Sequence, residues 1–138
     1  MSVEIKGLPE LLDTLDRRLS KEALLPIIDK ALIAGAKEFV KILKEEFLIA
    51  GDKGYAKGYT LEEITVTGPY WDAGIRVIRI HWRGPHDRYR LIHLNEWGTI
   101  NNPNPPRKGV IARAMKRSER VYRETVKKEL QKAFGEGL

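Results

Sequence analysis

An α+β fold, with an antiparallel hairpin-based sheet packed against two long helices, follows from three features of this chain. Apolar residues recur at helical spacing from Leu24 to Phe47. A β-branched run, GIRVIRIHW from Gly74 to Trp82, lies in the middle. From about Lys108 to Phe134, apolar and basic residues segregate to opposite sides of a second helical stretch, making it a basic amphipathic helix. Strands bracketed by helices give an α+β domain with an antiparallel sheet. At 138 residues the chain reads as one domain, residues 1–138.

Each element has its own justification. Val3 and Ile5 alternate with polar residues and predict a short strand ending at Gly7. Pro9 suits a first helical position, and Leu8, Leu11, Leu12, Leu15 and Leu19 form one apolar stripe. Ser20 is a candidate N-cap for the longer helix that carries Leu24, Ile28, Ala31, Leu32, Gly35, Phe39, Ile42, Leu43 and Phe47. Pro26 either kinks that helix near its start or marks its beginning. A flexible loop is expected near residues 49–60, where GDKGYAKGY has three glycines and no periodicity. It lacks the Gly-Lys-Ser/Thr ending of a phosphate-binding loop.

Leu61 to Thr67 predicts a strand stopped by Gly68-Pro69. Gly74 to Trp82 predicts another, turning at Arg83 to Asp87 and returning from Tyr89 to Trp97 as an antiparallel hairpin. In the last helix Ile111, Ala114, Met115, Val121, Tyr122, Thr125 and Val126 fall on one side. Arg113, Lys116, Arg117, Arg120, Arg123, Lys127 and Lys128 fall on the other.

Composition narrows the chemistry. There is no cysteine, so disulfides, zinc-thiolate sites and cysteine nucleophiles are excluded. No apolar run approaches the roughly 20 residues that span a bilayer. Acidic Glu4 stands where a signal peptide has a basic region, so folding in a cytoplasm is expected. The net charge of +6 arises entirely in residues 107–138, with 10 basic and 4 acidic side chains, while residues 1–106 hold 15 of each. A nucleic-acid reading therefore rests on one helix. His81, His86 and His93 invite a metal, but on a hairpin His93 and Glu96 point to opposite faces and cannot share an ion. Ser2, Ser20 and Ser118 have no nucleophile-elbow context, and the carboxylates Asp72, Asp87 and Glu96 are scattered. No catalytic set and no cofactor are expected.

Two segments carry a family resemblance. One is LIHLNEWGTINNPNPPRKGVIARA, Leu91 to Ala114: a strand-like segment ending in Glu96-Trp97-Gly98-Thr99, a loop holding Pro103, Pro105 and Pro106, and a helix opening near Arg113-Ala114. The other is the alternating segment at Val3 to Ile5, the glycine Gly7, and the leucine stripe that follows. Together they resemble the tail-completion or head–tail-joining family of long-tailed bacteriophages, small minor tail components that prophages also encode. Asn95-Glu96-Trp97 stands in place of the family's more usual Val-Glu-Phe, and Gly109-Val110-Ile111 in place of Pro-Phe-Leu.

The resemblance implies a non-enzymatic virion protein that completes or joins the tail at its head-proximal end as a homo-oligomeric ring. Its neighbours would be connector or tail proteins, and it would not engage a membrane. Glu96 either caps backbone amides or pairs with a neighbour's arginine, and Trp97 belongs either to the core or to a contact. The basic face holding Arg113, Arg117, Arg120 and Lys127 is a solvated surface, a surface for an acidic protein or neighbouring subunit, or, less favoured, a DNA contact. The competing class is a small basic nucleic-acid-binding protein or nuclease.

Overall fold

The computed structural model describes residues 2–6, 21–50, 58–101, 103–105 and 107–134. The expected leucine-striped helix, the Ser20 cap and the core of the glycine-rich loop, residues 51–57, lie outside the described residues. The fold is α+β: strand β1 (Val3–Lys6), helix α1 (Lys21–Ala50), the single turn α2 (Tyr59–Glu62), strands β2 (Ile64–Asp72) and β3 (Ile75–Trp82), and helices α3 (Tyr89–Trp97) and α4 (Val110–Phe134). The sheet is antiparallel with order β1-β3-β2.

α1 is the shared element. One flank packs on the sheet and the other runs along α4, the most extensive contact among the described elements. Leu24, Ile28, Leu32, Phe39, Leu43 and Phe47 join Ile78, Ile80 and Trp82 in one core with Ile111, Ala114, Val126 and Leu130 of α4. Burial of each such side chain stabilises the fold by roughly 1.5–3 kcal/mol. Gly35 lets the two helices approach, since a Cβ there would lie 3.0 Å from Val126 Cγ2. The apolar line of α4 runs through Val110, Ile111, Ala114, Ser118, Val126 and Leu130. Met115, expected on that side, lies on its flank and is 49% exposed.

Two expectations are corrected. The hairpin partner of β3 is β2, not the segment Tyr89–Trp97. Asp72 pairs with Ile75 around Ala73-Gly74, both at positive φ (49° and 78°), which suits a two-residue hairpin turn. β2 does not stop at Gly68-Pro69 but passes through it, with an irregularity in register between Thr67 and Tyr70. An edge strand tolerates that proline because its outward position needs no ladder amide.

Tyr89–Trp97 is a helix. A strand would bury Leu94 together with Ile92 and Glu96, whereas only Ile92 and Glu96, four apart, are buried. Only one residue of the nine, Ile92, is β-branched. Gly98, at φ 80°, ends the helix, its amide bonding to the Leu94 carbonyl.

Candidate functional site

The resemblance segment folds into a junction between α3, the proline loop and the first turn of α4. Helix geometry turns Glu96 inward, where it is 4% exposed. Its carboxylate accepts the amides of Ile111 (2.8 Å) and Ala112 (3.0 Å), the second and third residues of α4. Those amides have no partner within their own helix, and the positive end of the helix dipole favours the carboxylate's charge. The Glu96 carbonyl also accepts the Gly109 amide at 3.0 Å, with Gly109 at φ 73°. Glu96 is thus a cap supplied from a different helix, and its carboxylate is occupied inside the chain rather than offered to a neighbour.

The proline loop folds back on the same junction. Lys108 Nζ donates to the Pro103 carbonyl (2.9 Å) and to Asn104 Oδ1 (3.3 Å). Arg113 Nη1 donates to the Lys108 carbonyl at 2.8 Å. Next to buried Glu96, Trp97 points the other way and is 68% exposed. Leu91, Leu94 and Trp97, spaced by three on α3, form an exposed apolar ridge, and Ile100 beyond them is fully exposed. The ridge therefore sits on a junction whose backbone is fixed by buried hydrogen bonds.

The basic face of α4 is less open than its sequence implies. Arg117 is hydrogen-bonded to Glu45 and, at 3.1 Å, to Glu46, both on α1, and Arg113 lies 3.6 Å from Glu46. Hydrogen bonding to Glu45 and then to Glu46 holds the Arg117 pKa above its ordinary value. Arg120 pairs with Glu124 (3.0 Å) and Arg123 with Glu119 (3.1 Å), one turn apart. Lys116, Lys127 and Lys128 have no ion pair among the described residues. Of the four cations singled out on this face, Arg113 and Arg117 join α4 to α1, Arg120 is tied within α4, and Lys127 is left to solvent.

The histidines are separated rather than convergent. His81 on β3 shares a 2.6 Å hydrogen bond with Thr67 Oγ1. Partial burial, then the charges of Arg79 and Arg83, lower its pKa. His86 stacks on Tyr59 at 3.4 Å between ring centroids, and His93 is exposed on α3. His93 lies on a helix and not on a strand paired with β3. No group of three His, Cys, Asp or Glu side chains among the described residues could hold a metal ion.

One built cluster was not singled out from the sequence. Glu63, 3% exposed, accepts the amides of His86 (3.2 Å) and Arg88 (3.1 Å) and so shapes the turn after β3. A Cβ on Gly84 would come within 2.4 Å of Glu63 Cγ, so the turn and the carboxylate fit only with glycine there. Nearby, Trp82 Nε1 donates to the Thr60 carbonyl (3.1 Å), and Arg107 Nη1 donates to Thr60 Oγ1 (2.9 Å) while lying over the Phe47 ring. The sequence signal was faint: an acidic pair, Glu62-Glu63, ahead of a strand.

These groups engage backbone amides and one another. What they leave outward is an apolar ridge beside a rigid helix start, an arrangement suited to docking. Among the described residues no helix is long and apolar enough to cross a membrane. Comparison with family models, with curated proteins and with solved structures finds no match.

Proposed function

We propose that this chain is a non-enzymatic bacteriophage structural protein that completes or joins a tail at its head-proximal end by assembling as a ring. The observation that carries the reading is the Glu-Trp-Gly-Thr segment itself. Glu96 anchors the start of α4 from within, and the adjacent Trp97 is held outward with Leu91 and Leu94. A large exposed aromatic on a rigid backbone is the type of residue that anchors protein interfaces. In this reading the protein folds in the host cytoplasm, acts in the virion, and meets copies of itself and neighbouring connector or tail proteins.

The test is complementation of a phage or inducible prophage lacking the gene. Trp97→Ala should reduce infectious titre at least about tenfold, as loss of an anchoring aromatic does, while the protein's melting temperature stays unchanged. Wild-type titre from the Trp97→Ala protein would overturn the reading.

A second reading, a small basic nucleic-acid-binding protein, is favoured by Lys116, Lys127 and Lys128, which are unpaired among the described residues. Its signature would be DNA affinity that collapses between low and moderate salt as counterion release weakens.

A further inference from the structure

The exposed side of α3 carries apolar and basic side chains but no carboxylate. Arg90 and His93 stand exposed among Leu91, Leu94 and Trp97. At helical spacing Arg90 lies one turn before Leu94 and two turns before Trp97, so its charge edges the ridge. Its Nε donates to the Tyr89 hydroxyl at 3.0 Å, and its guanidinium lies 5.6 Å from the Tyr89 ring, which fixes the cation alongside the helix. Glu96, the one acidic residue of α3, is buried in the cap on α4.

The chain on either side of α3 adds to this imbalance. From Arg83 to Lys108 there are five basic residues, Arg83, Arg88, Arg90, Arg107 and Lys108, against the acidic Asp87 and Glu96. Arg83, Arg88, Arg90 and Lys108 have no ion pair among the described residues. Arg88 Nε is buried with no hydrogen-bond partner, and Lys108 Nζ is held by a carbonyl and an amide oxygen rather than by a carboxylate. The ridge is thus an apolar surface with a positive edge.

A second copy offers no matching surface among its described side chains. Seven of their carboxylates are tied in ion pairs within the chain. Glu63 and Glu96 are buried against backbone amides. Glu38, Glu62, Asp72 and Asp87 remain, on α1, α2, β2 and the turn before α3, one to each. Single charges on separate elements do not edge an apolar face.

We infer that the α3 ridge docks on an apolar surface edged with carboxylates and carried by a different protein. The inference rests on the reading above and names which partner Trp97 meets: a neighbouring connector or tail protein, not a second copy. Leu91, Leu94 and Trp97 supply the desolvated centre of the contact. Arg90 and the cations flanking α3 supply its rim, where complementary charge speeds encounter and like charge is rejected. A short helix presenting anchors at this spacing is a recurrent mode of recognition.

Two synthetic amphipathic helices probe the surface. One has a leucine stripe edged by glutamates, and the other is identical but for lysines at those positions. In anisotropy titrations the full chain should bind the glutamate helix at least about tenfold more tightly at low salt. That gap should close as salt screens the charges. Trp97→Ala should bind the glutamate helix about tenfold or more weakly than wild type, and Arg90→Glu should narrow or invert the preference. Both sites are exposed, and unchanged circular-dichroism melts check folding. In sedimentation from micromolar to millimolar concentration, both variants should self-associate as the wild type does.

Equal affinity for the two helices, no binding of either to millimolar concentration, or a Trp97→Ala protein that binds like wild type overturns the inference. Weaker self-association of either variant assigns the ridge to a second copy and also overturns it. So does binding to vesicles of anionic phospholipid without a preference between the helices, which assigns the ridge to a lipid surface. The functional reading is judged separately by phage titre. A loss of titre in Trp97→Ala with no preference for the glutamate helix sinks this partner and leaves the function standing, whereas a clear preference beside wild-type titre does the reverse.

Discussion

Glu96 and Trp97 are adjacent in the chain but differ in what they do. Glu96→Ala leaves the amides of Ile111 and Ala112 without their acceptors, and loss of such a cap lowers stability by about 2 kcal/mol. Glu96→Gln keeps one acceptor oxygen and should fall between Ala and wild type. Trp97→Ala should change stability by less than about 0.5 kcal/mol, because the ring is mostly in solvent. Urea unfolding of the three variants checks the order. His81 gives a pH dependence of known sign. Its folded pKa lies below the ordinary 6.5, so in that window the unfolded chain binds the proton more readily. Stability should therefore fall as pH drops through about 6.5 and level off below the folded value, and His81→Asn should flatten that slope. A slope unchanged in His81→Asn would show that other groups produce it.

Long elements were legible in the sequence because their period repeats many times. Those that the chain left ambiguous are short. The helical spacing of α1 and α4 recurs over 30 and 25 residues, so no strand pattern competes. The nine residues of α3 fit either period, and what decides is tertiary: Glu96 must reach two amides of α4. The hairpin was misplaced because Gly68-Pro69 reads as a stop, whereas on an edge strand it is only an interruption. The cations of α4 were visible, but not which of them meet α1, since that depends on the register between two distant helices. This register makes charge reversal unequal along the helix. Arg117→Glu sets a third carboxylate against Glu45 and Glu46, and should lower the melting temperature through two lost surface pairs plus repulsion. Lys127→Glu should be near neutral. Equal melting temperatures for the two variants would remove the α1–α4 ion pairs from the account.

At the scale of the whole molecule, α1 ties the sheet to α4, so both halves of the core share one wall. Gly35→Val would force that wall away from Val126 and should broaden or lower the thermal transition as a whole, not melt α4 alone. Calorimetry distinguishes the two: a single shifted peak against two separate ones. The cap on α4 has a consequence for how the chain could be rebuilt. The carboxylate and carbonyl of Glu96 hold Ile111, Ala112 and Gly109, and Arg107 bonds Thr60, so the start of α4 is moored at several points besides its peptide link to α3. Covalent continuity between α3 and α4 is then not what keeps the two helices together. Were the chain cut between them, the two fragments should stay docked after the peptide link is gone.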